Sequence, residues 1–187
     1  MVTFLTVILG LILVFLLAMA ILMTNEIFKL VILKSPPFLP TETKVYHEVV
    51  SYLNKRYGDK GITIVEMGSG ANRGQFIFSE NPHWQVVGYE FSPRPFIMGL
   101  LKKCWHKKKP NMKTFYKDFY KVNVSEADVI YSYLFAETNQ KLEPKLKAEL
   151  KPGSIIVSYA FKFPDWIPLE TIVLTHARHP NIYIYTV

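Results

Sequence analysis

Ile62-Thr-Ile-Val-Glu-Met-Gly-Ser-Gly70 is followed sixteen positions later by Val86-Val-Gly-Tyr-Glu90. Each stretch is short, rich in strand-forming residues, and carries an acid at or near its end, Glu66 in the first and Glu90 in the second. A strand, a glycine turn, a helix and a second strand ending in an acid are how a parallel α/β sheet builds a nucleotide site at its carboxyl ends. Gly68 and Gly70 let the backbone turn tightly and approach a ligand with no Cβ in the way. Glu90, 24 positions beyond Glu66, is of the right type and place to accept both hydroxyls of a ribose.

Two cofactor classes fit this pattern. The dinucleotide fingerprint G-x-G-x-x-G needs a third glycine, and Arg73 stands in its place. An acid two residues ahead of the first glycine, E-x-G-x-G, resembles instead the first motif of the S-adenosylmethionine (SAM) methyltransferases. Asn72 occupies the position of that family's third glycine, and Asn tolerates left-handed backbone better than most residues. A strand turn that binds nothing is the bland alternative; two acids and two glycines together argue against it.

Outward from this centre the chain alternates. Strand-like runs recur near 62–67, 85–90, 112–116, 127–134, 154–161, 170–175 and 182–187, with helical segments at 74–80, 94–105 and 138–150. An earlier helix, capped by Thr41 or Thr43, runs to Tyr57 with Val45, Val49, Tyr52 and Leu53 at helical spacing. The pattern predicts an α/β fold with a seven-stranded, mostly parallel sheet and a terminal antiparallel hairpin.

Val2 to Met23 is an uncharged run of 22 residues, long enough to cross a bilayer as one helix. Ala18-Met-Ala20 resembles a signal-peptidase site, but no basic residue precedes the run and it exceeds a usual signal core. An uncleaved anchor is the reading, and Lys29 and Lys34 beyond it put the domain on the cytoplasmic side. The helix continues past Leu30 until Ser35-Pro36-Pro37-Phe38-Leu39-Pro40 stops it. Three parts follow: an anchor at 1–24, a juxtamembrane helix, proline-rich linker and pre-domain helix at 25–60, and a methyltransferase domain at 61–187. Cys104 is the single cysteine, which suits a reducing compartment, and no Cys/His cluster has metal-ligand spacing. The net charge is +7, with a basic stretch from Lys102 to Lys109 around Trp105. That stretch reads as a solvated helix end, a contact for anionic headgroups, or a nucleic-acid contact, the last without an accompanying motif.

Several segments carry a more specific resemblance. Pro37-Phe-Leu-Pro-Thr41, Glu66-Met-Gly-Ser-Gly70, Gly88-Tyr-Glu-Phe-Ser-Pro93, Asp118-Phe-Tyr-Lys121 and Leu150-Lys-Pro-Gly153 through Phe161-Lys-Phe-Pro-Asp-Trp166 together resemble one family. It comprises the membrane-anchored lysine methyltransferases of the ATP synthase c-subunit and the adenine nucleotide translocase in mitochondria, with prokaryotic relatives. The chain departs at Tyr131-Ser-Tyr-Leu-Phe135, where that family carries a Gly-Val-Pro-like turn. The resemblance implies a class I methyltransferase (Rossmann-like) fold behind one N-terminal transmembrane helix, with SAM as cofactor. It also implies that Glu66, Gly68, Ser69 and Gly70 surround the methionine part of SAM. Glu90 then holds the ribose, Phe91 packs beside the adenine, and Asp118 with Phe119 serves the adenine end. Tyr133 and Leu134 face the methyl group.

Methyl transfer from a sulfonium is an in-line displacement, which asks the enzyme chiefly for positioning and water exclusion. A lysine acceptor must first lose its proton, and an apolar cleft lowers its pKa by desolvation. Tyr133, Tyr159, Phe161, Phe163 and Trp166 are the candidate wall, with the Phe163–Trp166 loop preferred. Glu137 and Asp165 are candidates to orient the amine or take its proton through water. The expected function is methylation of a lysine on a membrane or membrane-adjacent protein, with the bilayer as second partner and nucleic acid disfavoured. Alternatives are methylation of a lipid, quinone or other small molecule, and an anchored SAM-binding scaffold without turnover.

Overall fold

The computed structural model describes residues 2–31, 40–106 and 109–187. They fall into two units that divide near residue 38. The first is the helix α1 (Val2–Val31). Its stretch Phe4–Ile21 has a mean hydropathy of 3.0 and buries nothing within the protein. Eighteen helical residues span about 27 Å, close to the hydrocarbon thickness of a bilayer. The expected stop at 35–40 lies, but for Pro40, outside the described residues.

The second unit holds α2 (Thr43–Tyr57), α3 (Arg73–Phe78), α4 (Pro93–Trp105) and α5 (Ala136–Glu149) around seven strands. The strands are β1 (Ile62–Met67), β2 (Trp84–Glu90), β3 (Met112–Tyr116), β4 (Val129–Ser132), β5 (Ile155–Tyr159), β6 (Glu170–Val173) and β7 (Asn181–Thr186). Their order is β3-β2-β1-β4-β5-β7-β6. β7 runs antiparallel to both neighbours and the other pairings are parallel. This is the expected sheet with its antiparallel end. The order reverses between β1 and β4, and ligands of open α/β sheets bind above the carboxyl ends at such a switch point.

Helices cover both faces, so the central strands are apolar on both sides. On one face Val45, Tyr46, Val49 and Leu53 of α2 pack over Ile64, Val86, Tyr131 and Val157. On the other, Leu142 and Leu146 of α5 pack over Val65, Met67, Ile130, Ile156 and Tyr185. α2 therefore belongs to the core of the sheet unit, which begins ahead of residue 61. β4 and β5 end two residues earlier than their aromatic composition suggests. After β5 the chain turns out through Ala160, a non-glycine residue at φ 70°. The turn is held by Ser158 Oγ, which donates to the Phe161 carbonyl at 2.7 Å, and by the buried Asn139 amide, which donates to the same carbonyl at 3.2 Å.

Candidate active site

β1 leads into a turn with three left-handed residues in five positions: Gly68 at φ 73°, Gly70 at 57° and Asn72 at 63°. The Gly68 and Ser69 N–H groups both donate to the Tyr89 carbonyl, at 2.9 and 3.0 Å, which ties the turn to β2. Glu90 closes β2 with its carboxylate buried beneath the turn. One oxygen accepts from the Gly70 N–H at 2.8 Å and the other from the Ser92 N–H at 2.6 Å. Each oxygen keeps a lone pair for a further donor.

Glu66 lies deeper, only 2 % exposed. The Tyr46 hydroxyl donates to Oε1 at 3.1 Å, the Gln75 N–H faces the carboxyl, and Oε2 has no partner among the described residues. Burial pushes this carboxyl up to about 8, against the lowering effect of the Tyr46 and Gln75 donors, and the Glu90 charge adds to the rise. Ser69 Oγ is likewise buried without a partner among the described residues. The acid can approach α3 because residue 74 is glycine: a Cβ there would overlap both Glu66 Oε1 and the Tyr46 ring. Gly74→Ala is expected to lower stability by about 1–3 kcal/mol through overpacking, read as a shift in the denaturation midpoint. An unchanged midpoint would mean that Glu66 and Tyr46 have room to yield.

Phe91, 61 % exposed, stacks on Tyr116 with ring centroids 5.7 Å apart. Beside it a cleft of about 500 Å³ is lined by Tyr89, Phe91, Lys117 and Asp118 among others. Asp118 Oδ1 accepts from the Tyr120 N–H at 2.9 Å, and Phe119 packs against the core on the α5 face of the sheet. Phe91 and Asp118 thus meet in a cleft just past the carboxyl ends of β2 and β3, and Glu90 is the last residue of β2. A depression of about 440 Å³ near His47 and Trp84 lies at the opposite end of β2 and holds none of these residues.

The two residues beyond β4 part company. Leu134 comes against the glycine turn, 3.4 Å from where a Cβ on Gly68 would sit. Tyr133 joins an aromatic cluster with Tyr159 at 4.7 Å, His179 at 5.9 Å and Phe161 at 6.3 Å between ring centroids. Burial raises the hydroxyl pKa of both Tyr133 and Tyr159, so both are neutral phenols rather than bases at neutral pH. Glu137 is exposed in the first turn of α5, just past this cluster.

The Phe163–Trp166 loop is not brought to that cluster. Phe163 is fully buried on the α5 face of the sheet, 5.4 Å from the Tyr185 ring, while Tyr133 packs on the α2 face. Trp166 leans on Phe163 and already carries a cation, with Lys147 Nζ 5.1 Å from its ring centroid. The exposed Asp165 gives its N–H to the buried Glu143 carboxylate at 3.2 Å, which fixes the loop on that face. Tyr46, Asn139 and His179 carry no sequence signal for the places they take. His179 reads as a scattered surface histidine, and only the β6–β7 connection delivers it to Tyr133.

The ANTKMT methyltransferase domain family matches this chain over residues 66–170. A protein-lysine N-methyltransferase of Saccharolobus islandicus is 26% identical over 155 residues, covering 81% of this chain and 93% of that protein. The ATP synthase c-subunit lysine N-methyltransferase of Rattus norvegicus is 28% identical over 136 residues, covering 72% of this chain. The match takes in 60% of that rat protein, so this chain spans less than two thirds of its length. Among solved structures, an RNA methyltransferase of Salinibacter ruber in complex with S-adenosyl-L-homocysteine superposes with a TM-score of 0.64. It is 24% identical and covers 80% of this chain and 94% of its own, a likeness of fold. The match to more than half of the chain, on a sheet of this order, makes the protein a SAM-dependent methyltransferase and a member of the ANTKMT methyltransferase domain family.

Proposed function

We propose that the protein transfers methyl groups from SAM to a lysine of a membrane or membrane-adjacent protein. The fit to SAM rests on the orphaned Glu66 Oε2 and Ser69 Oγ beside the glycine turn and on the spare lone pairs of Glu90. The α-ammonium suits Glu66, the ribose diol suits Glu90, and the adenine suits the Phe91 and Asp118 cleft. When bound, SAM supplies the methyl group as a sulfonium. Gly68, Ser69 and Gly70 then orient it, Leu134 excludes water from the turn, and Tyr133, Tyr159 and Phe161 desolvate the incoming amine so that its proton leaves more readily. Of the two exposed acids, Glu137 is the better proton acceptor, since Asp165 belongs to the loop on the other face of the sheet. Phe163 and Trp166 act through packing. α1 spans the membrane, and the basic residues after it favour a cytoplasmic domain. The parts are thus an anchor followed by a methyltransferase unit that includes α2.

The observation that carries this reading is the Tyr133–Tyr159–Phe161 cluster at the carboxyl ends of β4 and β5, next to the Leu134-covered turn. Tyr133→Ala should cut methylation of the acceptor by about 10²-fold and leave SAM affinity within about twofold, with Tyr133→Phe recovering most of the rate. The acceptor is sought with radiolabelled SAM in membrane extracts. Label that is released by protease supports the proposal. Label in the organic extract would favour a lipid or quinone acceptor, and SAM binding without any labelled product would favour the scaffold.

A further inference from the structure

The fully buried positions of α4 are small residues, and apart from Phe96, whose ring packs on Tyr116, its large apolar residues face outward. Pro95 and Gly99 are its buried positions, and a Cβ on Gly99 would fall 2.7 Å from the Asn72 amide. Ile97, Met98, Leu101 and Trp105 are exposed, Trp105 at 86 %. Their spacing places them in one stripe along the helix, with Arg94 at its amino end. A helix that presents Ile, Met, Leu and Trp to water inverts the usual amphipathic arrangement, and such a patch marks a contact surface.

The charge around this stripe points to its occupant. From Phe91 to Lys117 the chain has eight Lys and Arg residues and no Asp or Glu. That segment therefore holds more positive charge than the net +7 of the protein, and the remainder is close to neutral. Among the described residues, Arg94, Lys102, Lys103 and Lys109 form no ion pair. An aliphatic stripe with one tryptophan and an uncompensated positive border is what an interfacial helix offers to a bilayer: apolar side chains enter the acyl boundary, Trp sits at headgroup level and cations meet anionic phosphates. Nucleic acid would match the cations but would leave Ile97, Met98 and Leu101 without apolar partners. Eleven residues, 32–42, separate α1 from α2, a tether of at most about 40 Å, so a bilayer crossed by α1 is held at high local concentration.

We propose that the exposed face of α4 docks on the surface of anionic membranes as a second, interfacial contact distinct from α1. The α1 reading contributes only the tether, and the two are tested separately. The full-length protein is reconstituted in nanodiscs of brominated-acyl phosphatidylcholine, with or without phosphatidylglycerol, and α1 insertion is verified by resistance to carbonate extraction. The Trp105 signal is the difference between wild-type and Trp105→Phe emission spectra, which removes the shared contribution of Trp84 and Trp166. A blue-shifted, bromine-quenched signal in anionic discs, weakened by high salt, is the expected result. Leu101→Glu should abolish it at unchanged SAM affinity, and Arg94→Glu or Lys102→Glu should each weaken the anionic preference at least about fivefold. A water-exposed Trp105 signal in anionic discs with α1 inserted overturns the proposal. A shift that instead follows protein concentration in detergent assigns the face to a second copy. One that appears with single-stranded RNA and not with discs assigns it to nucleic acid. Either of these also overturns it.

Discussion

Glu90→Ala will weaken SAM binding by about 10²-fold. The side chain is only 7 % exposed and is engaged twice, by the Gly70 N–H at 2.8 Å and the Ser92 N–H at 2.6 Å. Both are hydrogen bonds to a charged acceptor, of the kind that contributes about 1.5–3 kcal/mol. Alanine removes the proposed acceptor for the ribose diol and also releases the glycine turn from the start of α4. The turn must then be ordered by the ligand itself, so the loss on binding is about 3 kcal/mol, the sum of a missing contact and lost preorganisation. Glu90→Gln keeps one carbonyl oxygen for one of the two backbone donors and should fall between alanine and wild type. Calorimetric titration with SAM and S-adenosylhomocysteine reads the effect, and tryptophan fluorescence in a Trp105→Phe background, to which the fully buried Trp84 contributes, verifies folding. A folded alanine variant that binds within twofold of wild type would remove Glu90 from the cofactor site.

The part of the site that was legible in sequence is the part that backbone conformation dictates. Left-handed turns demand Gly68 and Gly70 and admit Asn72, and a parallel strand that ends next to the strand at the switch point leaves its last acid, Glu90, at the ligand edge. Those requirements are local, so a string of residues reveals them. Side-chain direction beyond a strand end is different, because it depends on partners far along the chain. Phe161 and Phe163 are two residues apart and equally aromatic. Phe161 is carried to Tyr133 by Ala160 with its Asn139 and Ser158 ties, whereas Phe163 is drawn to the opposite face by Tyr185, whose hydroxyl accepts from its N–H at 3.1 Å. α4 makes the same point. Its composition reads as an ordinary apolar helix, yet close packing through Gly99 against Asn72 leaves the large residues outside. The mostly parallel sheet with its antiparallel end followed from alternation, and the end of β5 did not, since Phe161 favours strand locally and the Ser158 and Asn139 hydrogen bonds to its carbonyl override that preference.

Glu66→Gln will stabilise the SAM-free protein at alkaline pH and flatten its stability profile. The folded carboxyl titrates near 8, raised chiefly by burial from an ordinary value of 4.5. An acid raised in this way binds its proton more tightly in the folded state, so the stability that this carboxyl contributes is greatest below about pH 4.5. It falls as pH rises towards 8 and levels off above that. The full interval corresponds to a loss of several kcal/mol, on the order of 5 as an upper bound. Glutamine keeps an oxygen for the Tyr46 hydroxyl and has no charge to bury, so the variant and wild type should be close at pH 5 and well separated at pH 8.5. Denaturant unfolding followed by tryptophan fluorescence in a Trp105→Phe background checks this, and parallel profiles would show that Glu66 is solvated in the folded protein. The same burial gives the acid its proposed use. A cation delivered to Oε2 compensates the charge that the protein alone leaves unpaired, so SAM binding below pH 8 should release a proton from Glu66 and strengthen as pH rises. Titration in buffers of different ionisation enthalpy reads that proton directly, and in Glu66→Gln it should be absent while affinity drops. Glu66 then works as an acid held without a counter-charge by Tyr46, Gly74 and the sheet until its ligand arrives, which is why its cost to the SAM-free fold and its contribution to binding have one physical origin.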